Sequence, residues 1–322
     1  MAELSPVALF AWQRPSHTQR VLEALSANDA AAETDLFVFV DGARHEREMS
    51  RVAEVIAIAQ SATGFKSVTV QAAPENLGLS RSITSGVTSV LQHSATVIVV
   101  EDDIVVSRSF LDYMNSHLEL YADDDAVASI HGYVYPHARD LSPTFFIAGA
   151  DCWGWATWRR AWARYRADGT ALLDELRERG LVEMFDFGGT AGYSEMLRDQ
   201  ISGRNDSWAV RWYASALLSG MFTLYPNRSL VTNIGSDGSG THGGVSTKFD
   251  VDLFNERVPA ARIPIADSPA GRQAFCEFFT AQGQGSGRTP ALRFVRRLLR
   301  PLWMRMPFDL RSHVARRLRR KW

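Results

Sequence analysis

Apolar residues in the first hundred positions come in short unbroken runs, each followed by a stretch of helical period. Residues 6–11, PVALFA, read as a strand ended by Gln13-Arg14-Pro15. Ser16-His17-Thr18 then opens a helix with apolar positions at Val21, Leu22 and Leu25. Residues 36–40 are a second strand, stopped by Asp41-Gly42, and a helix follows through Val52, Val55, Ile56 and Ala59. Residues 68–70 form a third strand and 79–91 a third helix. Residues 96–100, TVIVV, are a fourth strand that runs directly into Glu101-Asp102-Asp103. Strands apolar on both faces, alternating with helices, predict an α/β fold with a mostly parallel sheet flanked by helices. Such sheets bind ligands beyond the carboxyl ends of their strands. Those ends carry Arg14, Asp41, Asn76-Leu77-Gly78 and the acidic triplet.

The pattern loosens after Asp125. Residues 127–130, 145–148, 221–225 and 230–231 read as strands. Residues 153–162, WGWATWRRAW, are an unusually aromatic run. Asn205-Asp206-Ser207-Trp208 precedes a helix with Val210, Tyr213, Ala214 and Leu217, and either Asp206 or Ser207 suits its N-cap. Residues 235–242 form a Gly-rich loop, and 283–287 read as a linker.

Charge adds a feature that the formal net of -1 conceals. Residues 292–322 hold eleven Lys and Arg against the single acid Asp309, so the tail carries +10 and the rest -11. Its apolar residues Leu292, Val295, Leu298, Leu299, Leu302, Trp303 and Met306 make a helical stripe opposite the arginines. Pro301 and Pro307 interrupt it. A basic amphipathic tail of this kind suits the anionic inner leaflet of a membrane. Packing on the acidic remainder is the structural alternative; nucleic acid is disfavoured because no recognised binding module accompanies the cations. Neither a signal peptide nor a run of about 20 apolar residues is evident, so the expectation is a cytoplasmic protein held peripherally at the membrane. Cys152 and Cys276 make neither a disulfide framework nor a zinc pattern.

Three acids closing a buried strand need a positive partner. Mg²⁺ or Mn²⁺ suits them, since these ions take carboxylate oxygen and bridge to substrate phosphates. Strand alternation would put Glu101 and Asp103 on one side and Asp102 on the other. A solvated turn or a helix first turn is the bland reading. The unbroken apolar strand before the triplet argues against it.

Residues 97–113, VIVVEDDIVVSRSFLDY, resemble the core of GT-A (Rossmann-like) glycosyltransferases, of the family-2 and N-acetylglucosaminyltransferase I types. Residues 9–25, 39–43 and 75–87, with WGWATWRRAW and GTHGG, resemble further segments of these enzymes in the same order. The similarity spans residues 6–248. The tail lies outside it, and the expected organisation is a catalytic domain over 1–255, an extension and linker over 256–290, and the basic amphipathic helical tail over 291–322. The resemblance implies that Asp103 ligates Mn²⁺ or Mg²⁺, with Glu101 and Asp102 facing nucleoside and donor sugar. Phe10, Ala11, Arg14, Asp41, Asn76, Gly78 and Arg81 would grip base, ribose and diphosphate. The triplet is not a strict D-x-D, which leaves the division of labour between Asp102 and Asp103 open.

Asp206, ahead of an aromatic-containing helix, is the candidate base for inverting transfer, and capping that helix is compatible with it; Asp151, Asp186 and Glu195 are substitutes. His242 is a candidate second metal or phosphate ligand, against a plain surface role. Trp153, Trp155, Trp158 and Trp162 are either an acceptor platform or core, and Trp208 is expected with Trp153 and Trp155 to bind the acceptor. The reaction implied moves a sugar from a nucleotide-sugar donor to a glycan or lipid-linked acceptor, in bacterial surface polysaccharide assembly. A nucleotidyltransferase is the enzymatic rival, although residues 10–15 lack its glycines, and a non-catalytic sugar-binding domain is the other. Kinases are excluded because none of Lys66, Lys248 and Lys321 lies in a Gly-rich phosphate loop, and dinucleotide enzymes because no G-x-G-x-x-G follows the first strand.

Overall fold

A computed structural model describes residues 4–238 and 245–283. Four parallel strands open the chain: β1 (Val7–Ala11), β2 (Asp35–Val40), β3 (Ser67–Ala72) and β4 (Thr96–Glu101). Helices α1 (Pro15–Ser26), α2 (Met49–Gln60) and α3 (Leu79–His93) connect them. β1 and the middle of β4 are fully buried, which accounts for their lack of polar positions, whereas β3 lies at the sheet edge and alternates. Pro15 starts α1 with its φ already helical. Gly86 in α3 lets the Phe10 ring approach, since a Cβ there would lie 2.5 Å from it.

The second half extends the sheet differently. β5 (Ile104–Val106) leaves it and is followed by α4 (Phe110–Leu120), β6 (Val127–His131) and β7 (Thr144–Ala148). β8 (Trp155–Trp158) leads into α5 (Arg159–Trp162), so the aromatic run is a strand and one helical turn. α6 (Gly169–Glu178), α7 (Val182–Phe185), α8 (Tyr193–Ile201) and α9 (Trp208–Leu218) precede β9 (Phe222–Pro226) and β10 (Val231–Asn233). The eight-stranded sheet runs β3-β2-β1-β4-β8-β6-β9-β7, with β8 antiparallel to both neighbours. A separate antiparallel pair joins β5 to β10. α10 (Pro269–Ala281) rests on β7 through Phe275 and Phe145, extending the same body into the segment expected as an extension. No described helix is long and apolar enough to cross a membrane.

Between β8 and α9 lies a buried tryptophan cluster. Trp155 and Trp208 stack at 5.5 Å, and Trp162 meets Trp212 at 5.2 Å. Trp155 is wholly enclosed. Truncating so large a buried ring costs about 3–5 kcal/mol. Trp155→Ala should therefore lower the urea midpoint by that equivalent at an unchanged denaturant slope.

Candidate active site

The acidic triplet falls where β4 ends and the chain turns towards β5. The Asp102 amide donates to the Phe10 carbonyl at 2.9 Å, and the Ile234 amide to the Asp103 carbonyl at 2.8 Å. Asp102 is buried; Arg14 pairs with one of its oxygens and the Trp12 amide reaches the other at 3.2 Å. The same guanidinium nitrogen lies 3.1 Å from Asp103 Oδ2. Burial works against the Arg14 charge, and the two carboxylates more than offset it, so its pKa rises. Burial raises Asp102, with Arg14 opposing. Burial, then the charges of Asp103 and Asp102, push Glu101 up to about 8. Asp102 and Asp103 thus share one guanidinium, and burial beside them shifts Glu101 towards its protonated form.

That charge deficit fits a divalent cation. Among the described residues no group of three or more His, Cys, Asp or Glu forms a ligand set. Ions that carry a nucleotide, however, take one or two carboxylates and fill the remaining positions with phosphate and water. Asp103 and Glu101 suffice for that mode. Gly235 crosses close above, since a Cβ there would stand 2.3 Å from the Asp103 carboxylate and 3.0 Å from Arg14. Residues 239–244, His242 included, lie outside the described residues.

Beside the triplet, Asp41 is a staple. Its carboxylate accepts from the amides of Gly42 (2.9 Å), Leu77 (2.7 Å) and Gly78 (3.0 Å) and from Asn76 Nδ2 (2.9 Å). Asn76 also donates to the Gly42 carbonyl at 2.8 Å. The loops after β2 and β3 are thereby fastened so closely that a Cβ on Gly42 would sit 2.4 Å from the Glu75 backbone. Arg81 is exposed on the first turn of α3. Phe10 and Ala11 correct an expectation: both side chains are buried, with Phe10 stacked on Phe39 at 5.0 Å, so neither presents a face to a ligand. Trp12 and Arg44, which the sequence reading passed over, stand here instead. The Trp12 indole donates to the Gly42 carbonyl at 2.9 Å, and the Arg44 guanidinium covers its ring at 4.2 Å. The signal was positional, an aromatic just past the carboxyl end of β1.

A second feature is a cavity of about 390 Å³ rich in aromatic rings, nine of its nineteen lining residues, with Asp151, Cys152 and Trp153 along one edge. Asp151 accepts from the Tyr135 hydroxyl at 3.2 Å and the Cys152 amide at 2.9 Å. Burial, then the charges of Asp151, Glu101 and Asp103, raise the Cys152 thiol. Ser207 lines the cavity and caps α9 by accepting from the Val210 amide at 3.3 Å, which leaves Asp206 free of that duty. Asp206 is exposed and 3.7 Å from Arg211; a Cβ on Gly78 would lie 3.7 Å from its carboxylate. It stands between the Asp41-fastened loops and the cavity.

Of the three tryptophans expected to bind the acceptor, only Trp153 faces this cavity. Trp155 and Trp208 are core, stacked on each other with no face left for a sugar. Asp186 accepts from the Ser194 amide and hydroxyl at 2.7 and 2.6 Å, a local tie at the start of α8. Glu195 is exposed on α8.

A family profile described as Glycosyltransferase like family 2 matches residues 6–173, just over half of the chain. The chain belongs to that family. The match includes Asp41, the acidic triplet and Asp151, and stops short of Asp206. No curated protein matches. Among solved structures, the chain is similar to a mannosyltransferase from Pyrobaculum calidifontis in complex with GDP-Man and Mn²⁺, at 15% identity and a TM-score of 0.30 over 42% of this chain and 37% of that one. It is also similar to S. aureus TarS 1-349 in complex with UDP-GlcNAc, at 9% identity and a TM-score of 0.37, over 70% and 57% of the two chains. This chain thus spans less than two thirds of either structure.

His131, fully buried behind Asp151 at 3.8 Å, has no hydrogen-bond partner for either ring nitrogen among the described residues. Burial pushes its pKa down to about 4, with Asp151 opposing. An unfolded histidine titrates near 6.5, so between about pH 6.5 and 4 the unfolded chain binds the additional proton and stability falls as pH falls. Over the whole window the loss is about 3 kcal/mol, and above it the ring is neutral in both states. Urea midpoints at pH 7 and pH 4.5 should therefore differ more for the wild type than for His131→Leu.

Proposed function

We propose that the protein is a metal-dependent, inverting hexosyltransferase that moves a sugar from a nucleoside diphosphate donor to a glycan or lipid-linked acceptor. The observation that supports this is one guanidinium shared between Asp102 and Asp103 beside the buried Glu101 at the end of β4, with a fastened loop pair and a cavity rich in aromatic rings nearby. Asp103, with Glu101, would hold Mn²⁺ or Mg²⁺, which when bound neutralises charge on the departing diphosphate. Arg14 keeps Asp102 fixed below, while Trp12, Arg44, Asn76 and Arg81 border the space for the nucleoside. Asp206 takes the proton of the acceptor hydroxyl as that oxygen bonds to the anomeric carbon; the bond from this carbon to the diphosphate breaks, and the nucleoside diphosphate leaves.

Bacterial surface polysaccharide assembly at the cytoplasmic face is the setting that the basic tail supports, with residues 291–322 meeting anionic lipid. The tail lies outside the described residues. Vesicles of anionic lipid should float the full chain and not a chain ending at residue 290, and the difference should vanish on neutral vesicles.

Screening UDP-, GDP- and dTDP-sugars with Mn²⁺ by thermal shift should find one donor that stabilises the wild type and not Asp103→Asn. With that donor, Asp206→Asn should lower kcat about 10²–10⁴-fold while donor binding persists. Unchanged turnover in Asp206→Asn would remove it as the base. Donor stabilisation that survives both Asp103→Asn and chelation would remove the metal.

A further inference from the structure

We infer that the aromatic cavity is the acceptor subsite and that it takes a hydroxyl carried on an apolar body, an isoprenoid or aryl alcohol, and not a polyhydroxylated sugar. The inference rests on the reading of Asp206 as the base and selects one of the two acceptor classes proposed above.

Several polar groups of the wall are engaged by protein partners. Asp151 accepts from Tyr135 and the Cys152 amide, and the Tyr135 and Tyr193 hydroxyls lie 3.2 Å apart. Tyr213 donates to the Phe185 carbonyl at 3.2 Å, and Ser207 accepts from the Val210 amide. Lys248, the one cation of the lining, sits 4.6 Å over the Phe249 ring. A sugar placed here would bury several hydroxyls without partners, which is unfavourable for each of them. An apolar body brings a single hydroxyl to be satisfied and gains from removing its surface and that of the rings from water.

The approach has the same character. Leu79, 48% exposed, follows Gly78, beside which Asp206 stands. Met196, 42% exposed, lines the cavity, and its carbonyl accepts from Asn205, the neighbour of Asp206. Two exposed apolar residues, one after Gly78 and one at the cavity wall, thus lie on the segments that meet at Asp206. Nor is the cavity a packing fault: interiors close such voids down to a few water-sized gaps, and about 390 Å³ lies in the range of small-molecule sites.

The test is saturation-transfer NMR on the full-length protein, titrating geraniol and 4-pentylphenol in one arm and cellobiose and chitobiose in the other. Saturable binding of an alcohol and none of the disaccharides is expected. Ala209→Phe, which fills the cavity from α9, should weaken that binding at least tenfold; Met196→Asp at the exposed mouth should do the same without touching the core. Binding of the disaccharides in place of the alcohols, no binding of either alcohol, or alcohol binding indifferent to both variants would overturn the inference. A parallel Mn²⁺-nucleotide thermal shift separates the two readings. Nucleotide binding without alcohol binding leaves the glycosyltransferase and removes the apolar acceptor. Alcohol binding without nucleotide binding does the reverse.

Discussion

The site depends on how few positive charges face its carboxylates. Glu101, Asp102 and Asp103 close a strand whose preceding residues are buried, and among the described residues Arg14 is the cation paired with Asp102 and Asp103. That contact exists because β1 and β4 are parallel neighbours in register, Phe10 opposite Glu101. Their carboxyl ends then leave the sheet at the same edge, and residues 88 and 89 positions apart become an ion-paired cluster. An antiparallel β4 would have sent the acids to the opposite edge, away from Arg14. The parallel topology is therefore what lets the cluster form, and the cluster's residual negative charge is what makes it receptive to a cation.

The two halves of the sheet supply different chemistry to that edge. The parallel half turns its polar groups on itself: Asp41 takes four donors from its surroundings, fixing two loops close enough that Gly42 has no room for a side chain. Rigid, wet and polar, that side suits a nucleotide. The mixed half is built from rings, and where β7, β9, α9 and α10 fail to close on one another they leave an apolar hollow. Asp206 stands on the border between them, released from helix capping because Ser207 supplies that bond.

Much of the first half was legible because a buried parallel strand has a distinctive one-dimensional trace, an unbroken apolar run such as residues 96–100. The acids could be located from the same trace. What sequence could not show was side-chain direction at single positions. Phe10 reads as a residue at the ligand edge, yet Gly86 opens a slot for its ring inside the core. Trp155 reads equally as platform or core and Trp208 as an acceptor contact, since aromatic content carries no record of burial; it is their mutual stacking that decides. The order of β8 and β6 was illegible for another reason. Short buried strands look alike whether parallel or antiparallel, and insertion of β8 beside β4 is a decision of tertiary packing. The cavity was hidden likewise, because Tyr135, Asp151, Phe249 and Phe275 meet only through the fold.

The triplet's departure from a strict D-x-D motif finds a physical answer in burial. Asp102 is enclosed, with Arg14 on one oxygen and the Trp12 amide on the other, so both ends of its carboxylate are committed before any ligand arrives. Asp103 remains partly open to solvent and, among the described residues, meets Arg14 through Oδ2. A cation approaching from the cleft would find on Asp103 an oxygen it need not win from a buried partner, and on Glu101 a carboxyl that gives up its proton as positive charge arrives. The middle acid thus holds the arginine that steadies the turn, which on the proposed reading leaves the outer two for the ligand. Moving the fixed position to Asp103 would turn the exchangeable contact inward, where losing it would leave a buried charge unpaired.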